Sequence, residues 1–237
     1  MKKNIIEKLV KKVGKKLLPI LGFDIYSKKT WSQEGEDLVL DRIFGGKKTG
    51  YYIDVGAHHP KRFSNTFLFY RKGWRGINID AMPGSMAIFK KYRSRDVNLE
   101  VGVGAEEGIL NYYIFNETAL NGFSEKISQE RHGAETDYKI INVVTVDVLP
   151  LSNILDIHLP AGQCIDFLTI DVEGLDYDVL ISNNWVKYRP KIVIAEVLGS
   201  DMSEIQNSRI GALMSEVGYV LHAKTMNTVF FKEQAIK

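Results

Sequence analysis

The sequence predicts an α/β fold with a mostly parallel central sheet and an antiparallel hairpin at its C-terminal end. Three observations carry this expectation. From about residue 35, short apolar runs alternate with segments of helical periodicity. The runs are apolar at successive positions, as in strands covered on both faces by crossover helices. The last two runs, YVLHAK and NTVFFKE, follow each other with no helical spacer and so read as a hairpin.

In chain order, EGEDLVLDRIF (34–44) reads as a helix with Leu38, Leu40, Ile43 and Phe44 on or near one side. GYYIDVGA (50–57) is the first strand, and FSNTFLFYRKG (63–73) is a helix stopped by Gly73. RGINIDA (75–81) is the second strand, GSMAIFKKYRS (84–94) the next helix and VNLEVGVG (97–104) the third strand. GILNYYIF (108–115) has no helix before it and reads as an added antiparallel strand; KIINVVTVDVL (139–149) is another β-rich run. CIDFLTIDVEG (164–174) is a strongly apolar strand, followed by the helix LDYDVLISN. KIVIAEVLG (191–199) is the next strand, and SEIQNSRIGALMSEVG (203–218) a single helix with Gly218 after its end. The segment 116–137 is polar, mixed in charge and too long for a simple connection, as binding loops and lids often are.

The chain has 237 residues, 45% hydrophobic and 25% charged, which suits one globular domain with a sizeable core. Its single cysteine, Cys164, excludes an internal disulfide and fits a reducing compartment. Lying before an apolar run, it reads as a buried inert thiol. No apolar run is long enough to span a membrane, and the N-terminus lacks the unbroken core of a signal peptide. The expected location is cytoplasmic.

Residues 1–22 carry seven lysines and one acid, a charge of +6 against +2 for the whole chain, which leaves −4 on the remainder. Such a body argues against a nucleic-acid partner. Ile5, Leu9, Val13 and Leu17 fall at helical spacing within the basic segment. Residues 1–22 therefore form a basic amphipathic helix, which either packs on its own domain or docks peripherally on the inner membrane face through residues 1–20. Residues 23–237 form one domain.

In open α/β sheets, ligands bind beyond the carboxyl ends of the strands. Asp54, Gly56, His58 and His59 follow the first strand, Asp80 the second and Gly102-Val103-Gly104 the third. Asp171 and Glu173 follow the fourth main strand, and Glu196 the fifth. Acids at four strand ends point to a cofactor cleft. A dinucleotide needs a glycine-rich turn for its phosphates, whereas DVGAHHP lacks the second and third glycines. S-adenosylmethionine has no phosphate, carries positive charge and presents a ribose diol, from which a carboxylate such as Asp80 can accept. Asp80 also reads as a turn acid before Pro83-Gly84.

The runs SQEGEDLVLDRIF, GYYIDVGAHHPKRFSNTFLFYRKGWRGINIDAMP, VVTVDVL and above all FLTIDVEGLDYDVL resemble the FkbM-type S-adenosylmethionine-dependent methyltransferases, from about residue 31 to 200. Asp176 stands where that family usually has Glu or Gln. The resemblance implies the Rossmann-like class I methyltransferase fold and O-methylation, most often of a sugar hydroxyl in a glycan, nucleotide sugar or surface polysaccharide. It places the cofactor motif at Asp54, Gly56 and Ala57, the ribose at Asp80 and Ala81, and the adenine near Gly102 and Val103.

A hydroxyl acceptor needs a base, for which Asp171, Glu173, His58 and His59 are candidates. Asp171 and Glu173 point to one side at strand spacing and could hold Mg²⁺; Asp171 also borders the cofactor. Glu173 reads equally as a helix-capping acid, and the histidines as loop residues. Asn65 contacts ligand or caps a helix; Gln33 and Glu36 line the cleft mouth or begin a solvated helix. DVEG in place of an Asn/Asp-Pro-Pro-aromatic loop disfavours amino-group methylation. Two further readings are a non-catalytic binding module in glycan assembly and an O-methyltransferase for a small phenol or carboxylate.

Overall fold

The structure, a computed structural model, describes residues 27–133, 137–197 and 201–234; the basic helix expected over 1–22 lies outside them. The main body runs from Trp31. Its apolar strands form a seven-stranded sheet in the order β3-β2-β1-β7-β8-β10-β9. These are β1 (Tyr51–Val55), β2 (Arg75–Asp80), β3 (Val97–Glu100), β7 (Phe167–Ile170), β8 (Ile192–Glu196), β9 (Tyr219–Lys224) and β10 (Thr228–Glu233). Neighbours from β3 to β8 pair in parallel, whereas β10 runs antiparallel to both β8 and β9. The order reverses between β1 and β7, the switch point where such sheets open a crevice.

Register divides the core in two. Ile53 lies level with Ile77 and Leu168, and with Val193 and Phe231 they fill one face, covered by α5 (Leu151–His158), α6 (Asp176–Ile181) and α8 (Arg209–Glu216). Alternate residues Tyr52, Phe167, Ile194 and Phe230 fill the other, against Leu40 of α1 (Glu36–Ile43) and Phe69 of α2 (Phe67–Lys72). The crossover helix α3 (Met86–Tyr92) packs Met86 and Phe89 on Ala57.

Several elements differ from expectation. The third strand is broken at Val101. Its second part, β4 (Gly102–Val103), joins β5 (Gly108–Phe115) and β6 (Ile140–Leu149) in a separate sheet of order β4-β6-β5. The segment 116–137 is the connection of the β5–β6 pair, and it carries a 3₁₀ turn (Thr118–Leu120) and the helix α4 (Glu125–Arg131). Helix α5 escapes the sequence pattern because Leu151, Ile154 and Leu155 mark barely two turns. The helix expected over 203–218 is two, α7 (Met202–Asn207) and α8, parted at Ser208, whose hydroxyl accepts from the Gly211 N–H. A Cβ on Gly211 would lie 2.0 Å from the Ile205 carbonyl oxygen, so only glycine lets α8 turn so closely on α7. Cys164 is exposed rather than buried, because burial starts one residue later, at Ile165. Among the described residues, no helix is long and apolar enough to cross a membrane.

Beneath β1 and β2 lies a buried arginine. Arg93 pairs with Asp96 (Nε to Oδ2, 2.9 Å) and donates to Tyr52 Oη, Thr66 Oγ1, Asn78 Oδ1 and the Pro60 carbonyl. Arg93→Met would take the guanidinium from Asp96 and from four oxygen acceptors in the core, at a cost of about 3–5 kcal/mol. Urea unfolding measures this, and a loss below about 1 kcal/mol would mean that the network does not hold the fold.

Candidate active site

The site begins at the turn after β1. Gly56 has φ +80°, and the N–H groups of Gly56 and Ala57 both donate to the Ile79 carbonyl at 3.0 Å. A Cβ on Gly56 would sit 1.7 Å from the backbone oxygen of Asp171, so a glycine is required on two counts. The turn therefore lies directly on the end of β7. Above it opens a cleft of about 560 Å³, lined by Gly56, His58, Asp80, Asp171, Glu173 and Glu196 together with rim residues. A narrower apolar recess continues from it, sharing Gly56, Asp80 and Tyr112 and bounded by Ala81, Gly102, Val103 and Phe123.

Asp80 stands where the two meet. Its Oδ2 accepts from the His58 N–H (2.7 Å) and its Oδ1 from the Met82 N–H (2.9 Å), which fixes the carboxylate plane. Burial raises its pKa, and the two backbone donors counter the rise. His58 is held at φ +50°, with Nε2 3.0 Å from Thr118 Oγ1; its Nδ1 is buried and has no partner among the described residues. Burial and the nearby Arg62 lower its pKa, so the ring is neutral at pH 7.

Across the floor, Asp171, Glu173 and Glu196 bring carboxylate oxygens within 4.8 Å of one another. Glu173, at φ +54°, is paired with Arg131 (Oε2 to Nη1, 2.6 Å). No described residue donates a hydrogen bond to the Asp171 or Glu196 carboxylate. Asp171 is exposed on the cleft floor; the surrounding protein bulk, then Glu196 and Asp176, push its pKa well above the usual carboxylate range. Burial, then Glu173 and Asp176, push Glu196 up to about 8. Two like charges this close do not both ionise readily, so the pair holds a proton at neutral pH. Below them a polar recess is lined by Gln33, Glu34, Glu36, Asn65, Asp171 and Glu196. Glu36 there accepts from Thr228 Oγ1, and Asn65 donates to Thr169 Oγ1.

The β5–β6 connection is braced on both banks of the cleft. Arg62 grips Glu117 with two hydrogen bonds (3.0 and 3.1 Å), and Arg131 reaches Glu173 from the other side. Ile127 and Ser124 press on Gly174, where a Cβ would meet Ile127 Cδ1 at 2.3 Å.

Of the residues singled out in the sequence, Gly56, His58, Asp80, Asp171 and Glu173 meet in the cleft. Ala81, Gly102 and Val103 line the apolar recess, and Asn65 the polar one. Asp54, Ala57 and His59 are not brought to the lining. Asp54 lies on the Tyr52 face of β1, where its Oδ2 accepts from Thr66 Oγ1 at 2.6 Å; burial raises its pKa to about 6, countered by Thr66 and Arg93. Ala57 is buried against Met86 and Phe89. His59 Nδ1 accepts from the Lys61 and Arg62 N–H groups and so shapes the loop. Glu196, noted only as a strand end, needed the β7–β8 register to place it beside Asp171. Arg131 gave no signal within an irregular polar segment.

The sequence profile described as "Methyltransferase FkbM domain" matches residues 54–221, well over half of the chain. The chain belongs to the FkbM methyltransferase family. It is accordingly a methyltransferase that draws its methyl group from S-adenosylmethionine. No curated protein matches the chain. Among solved structures, this FkbM domain is similar to a TehB-like SAM-dependent methyltransferase from Corynebacterium glutamicum (10% identity, 96% of this chain and 97% of that one, TM-score 0.43). It is also similar to a putative RNA methyltransferase from Pyrococcus horikoshii (10%, 88% and 91%, TM-score 0.42) and a putative O-methyltransferase from Klebsiella pneumoniae (11%, 98% and 97%, TM-score 0.39).

A cation bound beside Glu196 would make its own binding pH-dependent in this FkbM domain. A cation on the floor favours the ionised pair, so binding below about pH 8 expels a proton. The affinity for S-adenosylmethionine should therefore rise with pH and level off above about pH 8, and Glu196→Gln should flatten the rise. Calorimetry in buffers of different ionisation enthalpy measures the released proton; affinity that ignores pH in the wild type would refute the linkage.

Proposed function

We propose that this chain transfers a methyl group from S-adenosylmethionine to a sugar hydroxyl of a glycan, nucleotide sugar or surface polysaccharide. The observation that carries this reading is the pair of carboxylates, Asp171 and Glu196, left without protein donors on the cleft floor. Once a bound cation has ionised them, these carboxylates only accept, and a ligand rich in hydroxyls supplies the donors they lack. A small phenol offers one such donor, which favours the sugar over the phenol.

The lining fits the methyl donor. Asp80, with both oxygens oriented by backbone N–H groups, keeps free lone pairs for a ribose diol. The missing Cβ of Gly56 lets a ligand lie against the turn, and the apolar recess beside Ala81, Gly102 and Val103 suits a flat base. When bound, S-adenosylmethionine supplies a methyl group activated by the adjacent sulfonium. The protein then has to align the acceptor, for which orientation contributes on the order of 7 kcal/mol or more. It also has to take up the hydroxyl proton. Asp171, once ionised in the presence of a bound cation, accepts it, and neutral His58 on the opposite bank is the second candidate.

Three oxygens this close would suit Mg²⁺ by donor type. The guanidinium of Arg131 already neutralises Glu173, however, and a divalent cation would have to displace it. The proposed chemistry therefore uses no metal, and turnover should survive excess EDTA; loss of activity that Mg²⁺ restores would overturn this.

The direct test is turnover against a panel of nucleotide sugars and glycans, with phenols alongside. Asp171→Asn should lower kcat by roughly 10²–10⁴-fold on the sugar acceptor and change S-adenosylhomocysteine affinity far less. Turnover of phenols alone would favour the small-molecule reading. Cofactor binding with no turnover on any acceptor would favour a binding module.

A further inference from the structure

Residues 55–95 contain nine lysines and arginines and one acid, Asp80, which is buried. Arg93 is buried on Asp96, Arg62 is held by Glu117 and Lys72 by Asp41. Lys61, Arg71, Arg75, Lys90, Lys91 and Arg95 have no carboxylate within ion-pair distance among the described residues. The remainder of 23–237 is strongly net negative, so the net positive balance of this body gathers around helices α2 and α3.

The contacts show that much of this flank is one surface. Lys61 lies over the rings of Tyr92 (3.8 Å) and Phe67 (5.9 Å). Arg95 lies over Tyr70 (4.1 Å) and Arg71 over Trp31 (4.9 Å), while Phe67 packs against both Trp31 and Tyr70. Cations and aromatic rings thus alternate across the two helices. At its edge the surface meets the cleft, whose lining includes Phe63 and Ile88. Phe63, Ile88 and Tyr92 are 41%, 37% and 39% exposed, and Phe63 is held at φ +54°, a conformation that a bulky residue rarely adopts.

We propose that the α2–α3 flank docks on the headgroups of an anionic phospholipid surface. Lysines and arginines beside Trp, Tyr and exposed apolar side chains are the composition of an interfacial surface, with charge at the phosphates and apolar groups at the acyl boundary. A nucleic acid fits less well. The rings it would stack on already carry the protein's own cations, and an exposed isoleucine offers nothing to a base or a phosphate. The acidic remainder is repelled by the same lipid, so the flank is the side that approaches, and it carries the cleft mouth toward the leaflet. This surface is distinct from the basic helix expected over residues 1–22.

The test is co-sedimentation of the full chain, bound to S-adenosylhomocysteine, with phosphatidylcholine vesicles and with vesicles containing about one-third phosphatidylglycerol. The wild type should bind only the latter, and less tightly as salt is added. Lys90→Glu/Lys91→Glu/Arg95→Glu in the same chain should weaken partitioning by on the order of a hundredfold or more, with S-adenosylhomocysteine affinity unchanged. If the triple reversal does not fold, the corresponding glutamine variant should show a smaller loss in the same direction. Equal binding by variant and wild type would assign all membrane contact to the N-terminal segment and overturn the proposal. So would no binding by the wild type, equal binding to neutral vesicles, or displacement by tRNA at lower concentration than by free vesicles.

Discussion

The cleft rests on the contact between Gly56 and the backbone of Asp171. A side chain at residue 56 cannot coexist with the Asp171 carbonyl, and the positive φ there suits glycine alone. Because the turn has no side chain, the ends of β1 and β7 touch at the switch point. Asp171 then emerges beside the turn, and the parallel register of β7 with β8 sets Glu196 next to it. Crowding by protein and the neighbouring Glu196 raise the pKa of Asp171, while burial, Glu173 and Asp176 raise that of Glu196. That is unfavourable for the free protein and favourable for binding a cation, a conflict expected where function overrides stability.

Two arginines hold the loops around this floor in different ways. Arg93, fully buried, ties the loop at Pro60 and the start of α2 to the sheet, so the turn after β1 is fixed from below. Arg131 works from above and is only partly buried. It binds Glu173 and fastens α4 over the β7–α6 loop. Arg62 and Glu117 do the same on the facing bank, with both partners solvent-accessible. Exposed pairs of this kind contribute at most about 1 kcal/mol. The Arg62–Glu117 brace is therefore the weaker of the two, the Arg131–Glu173 pair being the more buried.

The main sheet was legible because its strands are apolar on both faces and its helices are separated by clear glycine stops. The second sheet was not, since its membership depends on long-range pairing of β5 with β6 and on a break at Val101 that no local pattern marks. Asp80 and Asp171 were legible as acids at strand ends. Asp54 was placed at the cleft on the same ground, although alternation sets it on the face of Tyr52, and the buried Arg93 that uses that face lies 39 positions away in sequence. His59 could not be separated from His58 by residue type alone. The backbone donors that engage its Nδ1 belong to the turn itself and become visible only with coordinates.

The cleft above Gly56 should seat the methyl donor. A crystal structure of the full chain with S-adenosylhomocysteine tests this most directly. The prediction is ribose hydroxyls within hydrogen-bond distance of the Asp80 carboxylate, the base in the recess beside Gly102 and Val103, and the amino-acid end over Gly56 toward Asp171. Density for the ligand elsewhere, with Asp80 untouched, would contradict it.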